Sequence, residues 1–183
     1  VAGLVGKWAR LELERRFLVG RLPEGILEGR SWRIDDRYIT GTHLRLRRME
    51  RIDGGETVFK LGQKQVPSPP DYSTMTITSI VLSPDEYDVL TSLQSLELHK
   101  VRHQVEHDDH RTYSVDVFDA HLSGLMLAEV DFETPEEMER PLELPHWVIR
   151  EVSDEIQFTG GALANLTSDQ AVELIRRIPQ SHH

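Results

Sequence analysis

Leu11-Glu12-Leu13-Glu14-Arg15-Arg16-Phe17-Leu18-Val19 reads as a β-strand whose two faces differ in kind. Alternation with period two puts Leu11, Leu13 and Phe17 on one face and Glu12, Glu14 and Arg16 on the other, with Arg15 interrupting the apolar side. An ordinary half-buried strand turns apolar residues to the core and neutral or charged ones to water. Here the polar members are full charges of both signs, and the pattern returns along the chain. Arg45 and Arg47 oppose Leu44 and Leu46, and Lys60 and Lys64 oppose Phe59 and Leu61. Lys100 and Arg102 flank Val101, Glu129, Asp131 and Glu133 oppose Val130 and Phe132, and Asp116 lies between Val115 and Val117. Any one of these faces is explained by charges coating a solvated surface. Five together favour the inverse arrangement, with apolar faces turned outward under helices and charged faces lining a wet lumen.

The surrounding sequence supplies strands enough to close such a lumen. Besides 11–19, strand patterns occupy 32–38, 43–51, 57–64, 73–82, 96–105, 111–119 and 125–133. Thr40-Gly41, Asp53-Gly54-Gly55, Pro67-Ser68-Pro69-Pro70 and His107-Asp108-Asp109 mark turns between them. Ser83-Pro84-Asp85-Glu86 carries an N-cap, a proline at the first helical position and a capping-box acid, so a helix with Tyr87, Val89 and Leu90 should follow. Thr134-Pro135-Glu136-Glu137 repeats that start. Thr167 or Ser168 opens an amphipathic helix through Ala171, Val172, Leu174, Ile175 and Ile178, stopped by Pro179. The expected fold is α+β: one domain over 1–183, a closed eight-stranded antiparallel barrel or tunnel over about 11–133, and a helical segment over about 134–179. An open sheet with helices on one face is the alternative.

Composition narrows the functional classes. Without cysteine there is no disulfide scaffold, thiolate metal site or cysteine nucleophile. No apolar run reaches the roughly 20 residues of a membrane span, and Val1 to Val5 is too short for a signal-peptide core, so a cytoplasmic protein is expected. A net charge of −10 argues against a general nucleic-acid binder. The charge is uneven: 30–64 holds nine Lys or Arg against five acids, and 128–157 ten acids against two bases, room for a basic and an acidic wall in one fold.

A lumen of both signs calls for a ligand that uses both. Carboxylates from Glu12, Glu14, Glu129 and Asp131 are hard oxygen donors suited to Mg²⁺ or Mn²⁺. Arginine and lysine suit phosphate oxygens, and the glycine-lysine motif of a P-loop is absent. In this light 12–19 resembles the N-terminal ExExK signature of the CYTH superfamily, the triphosphate tunnel metalloenzymes, with Arg16 at the usual lysine. Leu44-Arg45-Leu46-Arg47 is similar to that family's RxR strand, Phe59-Lys60-Leu61 to its lysine strand and Lys100-Val101-Arg102 to its KxR strand. Val115-Asp116-Val117-Phe118 resembles its aspartate strand, and Leu127-Ala128-Glu129-Val130-Asp131 its late acidic strand, with Asp131 where Glu is commoner. Glu151-Val152-Ser153 and Gly161-Ala162-Leu163-Ala164 look like the C-terminal segment of bacterial members. The ordered set carries the resemblance and spans nearly the whole chain. One departure concerns the fifth strand, where many members have acids and this chain has Thr74, Thr76 and Thr78.

The resemblance implies a divalent-metal-dependent hydrolase that splits inorganic triphosphate into pyrophosphate and phosphate. Glu12, Glu14, Glu129 and Asp131 would hold metal, Asp116 would help hold it or orient water, and Arg16, Arg45, Arg47, Lys60, Lys100 and Arg102 would grip the phosphates. A class IV-type adenylate cyclase, a thiamine or nucleoside triphosphatase, and a non-catalytic polyphosphate-binding module share the same expected tunnel. The partner is a triphosphate-bearing small molecule, with no nucleic acid or membrane, in a monomer or homodimer. His99, His103, His107 and His110 cluster in sequence with Asp108 and Asp109, but His99 and His103 have the opposite parity to Lys100 and Arg102 and so belong on the outer face. Trp8, Trp32 and Trp147 are assigned to packing, and Ser114 and Ser153 sit in no nucleophile motif.

Overall fold

All eight strands expected from the alternation form in the computed structural model, which describes residues 8–27, 29–65, 71–107 and 111–179. They are β1 (Arg10–Val19), β2 (Ser31–Ile39), β3 (Leu44–Arg51), β4 (Thr57–Gln65), β5 (Thr74–Leu82), β6 (Ser95–Glu106), β7 (Thr112–Phe118) and β8 (Met126–Phe132). Around the barrel they run β1-β5-β4-β3-β2-β6-β7-β8 and return to β1, every pair antiparallel. Closure leaves no free sheet edge among these eight. Gly41 and Gly54, at φ 75° and 80°, make the tight returns after β2 and β3, a backbone region that residues with a Cβ rarely adopt.

The second edge of β1 is shared. Its first half, Arg10 to Leu13, pairs with β5, and Phe17 to Val19 pairs with a ninth strand, β9 (Val148–Glu151). Alternation over four residues is too short to announce a strand, so the region expected to be helical holds one. Arg15, which breaks the apolar face of β1, explains the attachment: its guanidinium grips the Glu151 carboxylate at 2.9 and 2.5 Å.

The apolar faces point outward and are covered, as the charge pattern requires. Leu46, Phe59, Leu61 and Leu82 pack under Tyr87 and Leu90 of α1 (Pro84–Thr91). Ser83 caps that helix in a full capping box with Glu86, while Val89 faces solvent. Leu13, Phe17, Tyr113, Val115, Val130 and Phe132 pack with Trp147 from the segment after α2 (Pro135–Met138), whose cap is Thr134. Trp147 is thus a packing residue, and Trp32 lies beneath the Arg51 guanidinium. Trp8 departs from the expectation: it precedes β1 and is 80% exposed.

At one end of the barrel the strand residues Leu18, Leu98, Phe118 and Leu127 meet Val152, Phe158, Leu163 and Ala171 in a third apolar cluster. The last three come from a short 3₁₀ turn (Ile156–Phe158), α3 (Gly160–Ala164) and α4 (Ser168–Arg176), the last capped by Thr167 in a box with Gln170. A Cβ on Gly160 would meet the Tyr38 hydroxyl at 2.0 Å, so α3 reaches β2 only because that residue is glycine. Among the described residues no helix is long and apolar enough to cross a membrane. The turns at 67–70 and 108–109, together with His110, lie outside the described residues.

Candidate functional site

The strand register collects the charged faces inside the barrel. Glu14 stands opposite Asp131, Arg16 opposite Glu129, Arg102 opposite Asp116, and Arg47 opposite both Asp36 and Lys60. Cross-strand neighbours share a face, so these pairings put one ring of charges on the inner wall. A cavity of ≈ 450 Å³ opens there, lined by four carboxylates (Glu12, Glu14, Glu129, Asp131) and six bases (Arg16, Arg45, Arg47, Lys64, Lys100, Arg102). Tyr38, Tyr72, Phe118 and Phe158 line its apolar side.

The structure therefore brings together nearly all of the residues singled out from sequence. Two stand apart from the cavity lining. Lys60 is on the inner face beside Arg47 but does not line the cavity. Asp116, 1% exposed, sits behind the lining and accepts from Lys100 Nζ at 2.5 Å and from Arg102 Nε and Nη2 at 2.7 Å each. Both its oxygens are engaged by bases, so in this arrangement Asp116 anchors Lys100 and Arg102.

Three further polar residues of the wall had no role assigned from the sequence. Lys64, next on the Lys60 face, is paired with Glu12. Tyr38 stands opposite Arg45 in the register and lines the cavity with it. Asp36, 1% exposed, accepts from Arg47 Nε and Nη2 at 2.6 Å each and lies 3.6 Å from Arg45 Nε. The sequence offered only a lone acid among the uncharged Ile34 and Tyr38 of one parity, and the pairing of β2 with β3 is what turns that parity inward.

The register also resolves the fifth strand. Thr74, Thr76 and Thr78 stand opposite Leu13, Leu11 and Gln63 and face outward. Met75 stands opposite Glu12, and Ile77 opposite Arg10 and Lys64, so the inner face of β5 presents Met75 and Ile77 and no carboxylate. The carboxylate wall belongs to β1 and β8 alone. The outer parity of His99 and His103 holds: His99 Nδ1 is 2.8 Å from Asp35, and His103 Nδ1 is 2.7 Å from the Ser31 hydroxyl. Ser153 is buried as a splint, its hydroxyl accepting from the Arg16 amide at 2.9 Å and donating to Glu151 at 2.6 Å.

Like charges crowd the β1–β8 wall. Arg16 contacts both Glu14 and Glu129, and Arg102 also contacts Glu129. Burial would raise the Glu129 carboxyl, but Arg102, Lys100 and Arg16 outweigh it and hold Glu129 well below the usual carboxylate range. Glu14 is left as the partner that keeps a proton: burial, then the negative Glu129, push it up to about 7 against Arg16 and Lys64. Burial, Glu129 and Glu12 also raise Asp131. A wall whose acids resist joint ionisation is one that a divalent cation would relieve. Among the described residues no three acids or histidines are gathered into a ready metal site, and three of the four lining carboxylates, Glu12, Glu14 and Glu129, are paired with bases. Their hard oxygens nonetheless fit Mg²⁺ or Mn²⁺, since Mg²⁺ commonly takes only one or two carboxylates together with substrate phosphates.

The Glu14 shift predicts a pH dependence of stability. Its folded value lies above the ordinary 4.5, so the folded protein holds a proton that the unfolded chain releases between pH 4.5 and about 7. That contribution is complete below pH 4.5 and lost as pH rises towards 7, on the order of 3 kcal/mol. Urea unfolding in chelator-treated buffer at pH 5, 6 and 7 should show stability falling with pH, and Glu14→Gln should flatten the slope. An unchanged slope in that variant would refute the assignment.

No protein-family model matches the chain. It is 29% identical over 154 residues to the inorganic triphosphatase of Nitrosomonas europaea, covering 84% of this chain and 96% of that protein. The solved structure of the inorganic triphosphatase NE1496 superposes with a TM-score of 0.57 at 26% identity, over 84% of this chain and 93% of that one. The PH1819 protein from Pyrococcus horikoshii, at 18% identity and a TM-score of 0.51, shares the fold over 69% of this chain and 81% of its own.

Proposed function

We propose that the chain is a member of the CYTH superfamily, the triphosphate tunnel metalloenzymes, as its likeness to the inorganic triphosphatase of Nitrosomonas europaea supports, and that its tunnel hydrolyses inorganic triphosphate to pyrophosphate and phosphate with a divalent cation. One observation carries this reading. Arg16 Nη1 and Arg45 Nε are buried in the tunnel wall with no hydrogen-bond partner among the described residues. A buried donor left unmet costs about 1–3 kcal/mol, more when charged. Phosphate oxygens are the acceptors that satisfy such donors, and the surplus of six lining bases over four acids favours a polyanion.

Binding is then an exchange of partners. Arg16, Arg45, Arg47, Lys64, Lys100 and Arg102 take the phosphate oxygens, with Lys60 adding charge from beyond the cavity lining. As Arg16 and Lys64 turn to the ligand they release Glu14 and Glu12. Those carboxylates, with Glu129 and Asp131, would hold Mg²⁺ or Mn²⁺ on the β1–β8 wall. A cation bound there supplies charge neutralisation of the phosphoanhydride and a more acidic water. The tunnel residues hold the chain in line for attack by water and stabilise the charge on the leaving pyrophosphate, with no covalent enzyme intermediate.

The apolar side of the cavity favours a second reading. Tyr38, Tyr72, Phe118 and Phe158 offer room for an organic group esterified to the triphosphate, as in thiamine triphosphate or ATP, including cyclisation of ATP. The purified protein should be given inorganic triphosphate, ATP and thiamine triphosphate with Mg²⁺ or Mn²⁺, and orthophosphate, pyrophosphate and cyclic AMP measured. The expected result is cation-dependent orthophosphate release, fastest from inorganic triphosphate, and no cyclic AMP. Cyclic AMP production would replace the hydrolase with a cyclase, and calorimetric triphosphate binding without turnover would replace it with a binding module.

A further inference from the structure

Asp36, like Asp116, is a buried tunnel acid with no direct place in the reaction outlined above. Its carboxylate does not line the cavity. It lies behind Arg45 and Arg47, much as Asp116 lies behind Lys100 and Arg102. The two aspartates come from different strands, β2 and β7, and each serves two bases. Burial alone would raise the Asp36 carboxyl, yet Arg47 and Arg45 hold it well below the usual range, so it stays a permanent anion.

We propose that Asp36 is a positioning residue of the phosphate clamp, locking Arg47 through a bidentate bond and holding Arg45 beside it so that both meet the phosphate chain in one preset orientation. The inference rests on the triphosphate reading of the tunnel and extends it to how the clamp is built. Arg47 and Arg45 are two residues apart on β3, so their like charges share one inner face. Asp36 stands opposite Arg47 in the register and takes Nε and Nη2 of its guanidinium, which fixes the plane of the fork. Three of the five donors of Arg47 remain for a ligand. Arg45 Nε, 3.6 Å from Asp36 and without a hydrogen-bond partner among the described residues, is held near the anion without being consumed by it. Tyr38, the next inward residue after Asp36, stands opposite Arg45 in the register. The side chains are thus ordered before ligand arrives, and ordering them is no longer a cost of binding.

A purely structural Asp36 would affect stability alone, and the test separates the two roles. Steady-state kinetics with inorganic triphosphate are compared for the parent, Asp36→Asn, Arg47→Lys and the double variant. Asp36→Asn is expected to lower kcat/KM by about 10- to 100-fold in the parent background and by less than about threefold in the Arg47→Lys background. Equal losses in both backgrounds would overturn the proposal. A second readout needs no substrate: the side-chain Nε–Hε signal of Arg47 in the ligand-free protein, followed by ¹⁵N NMR. It should be sharp and slow to exchange in the parent, and lost in Asp36→Asn and in Asp36→Glu, which keeps the charge but shifts the carboxylate. Persistence of that signal in a folded variant would overturn the positioning role whatever the substrate. A parent that turns over no triphosphate, with the Arg47 signal lost as expected, would strike the substrate assignment and support the positioning role.

Discussion

Glu14→Gln is expected to lower Mg²⁺-dependent phosphate release from inorganic triphosphate by about two to three orders of magnitude while leaving the melting temperature near that of the parent. The two halves of this expectation have one cause. In the protein without cation, Glu14 keeps a proton up to about pH 7 because it is buried and Glu129 is ionised beside it. Glutamine has the shape of that protonated acid, so the resting tunnel should hardly register the change. The difference emerges only when a cation and triphosphate occupy the tunnel, because glutamine cannot supply the negative charge that the proton-free carboxylate would. Losing several kcal/mol of charge stabilisation corresponds to the stated rate loss. Phosphate assays with thermal melting on the same samples decide the matter. Full turnover in a folded Glu14→Gln protein would remove Glu14 from the reaction.

The second large effect concerns stability. Asp116→Ala is expected to cost about 3–5 kcal/mol, because it strands Lys100 and Arg102 in the barrel without their shared anion. For a chain of this size that corresponds to a melting temperature lower by roughly 10 °C. Inorganic triphosphate should raise the melting temperature of the variant by more than it raises that of the parent, since the polyanion supplies the missing counter-charge. Calorimetric melting with and without triphosphate tests both parts. A variant that melts with the parent would show that Asp116 is not the anchor of the two bases.

How much of this was legible before the fold was known differs from residue to residue. The inner face of β1 was readable because Glu12, Glu14 and Arg16 are successive members of one alternation, and parity survives any choice of neighbour strand. The same holds for Arg45 and Arg47, and for Glu129 and Asp131. Asp36 was harder. It follows Asp35 and precedes Arg37, so charges occupy both parities of β2, and only the pairing of β2 with β3 shows which acid faces Arg47. The threonines of β5 show the converse limit. A run of Thr74, Thr76 and Thr78 suggested a face of interest, but the register turns it outward and leaves Met75 and Ile77 inside.

The opening strand marks the division well. Alternation alone established that Glu12 and Glu14 share a side and that Leu13 and Phe17 need cover, because side-chain parity is a property of an extended backbone. Which side faced a lumen, and which charges met there, depended on closure: Arg16 reaches Glu129 only because β1 pairs with β8, and Lys64 reaches Glu12 only because the barrel closes through β5. The splitting of β1 between β5 and β9 was equally invisible, since a four-residue strand has too few alternations to declare itself and is held by long-range bonds such as Arg15 to Glu151. Local geometry sets parity, whereas contact between distant strands arises only when the barrel closes.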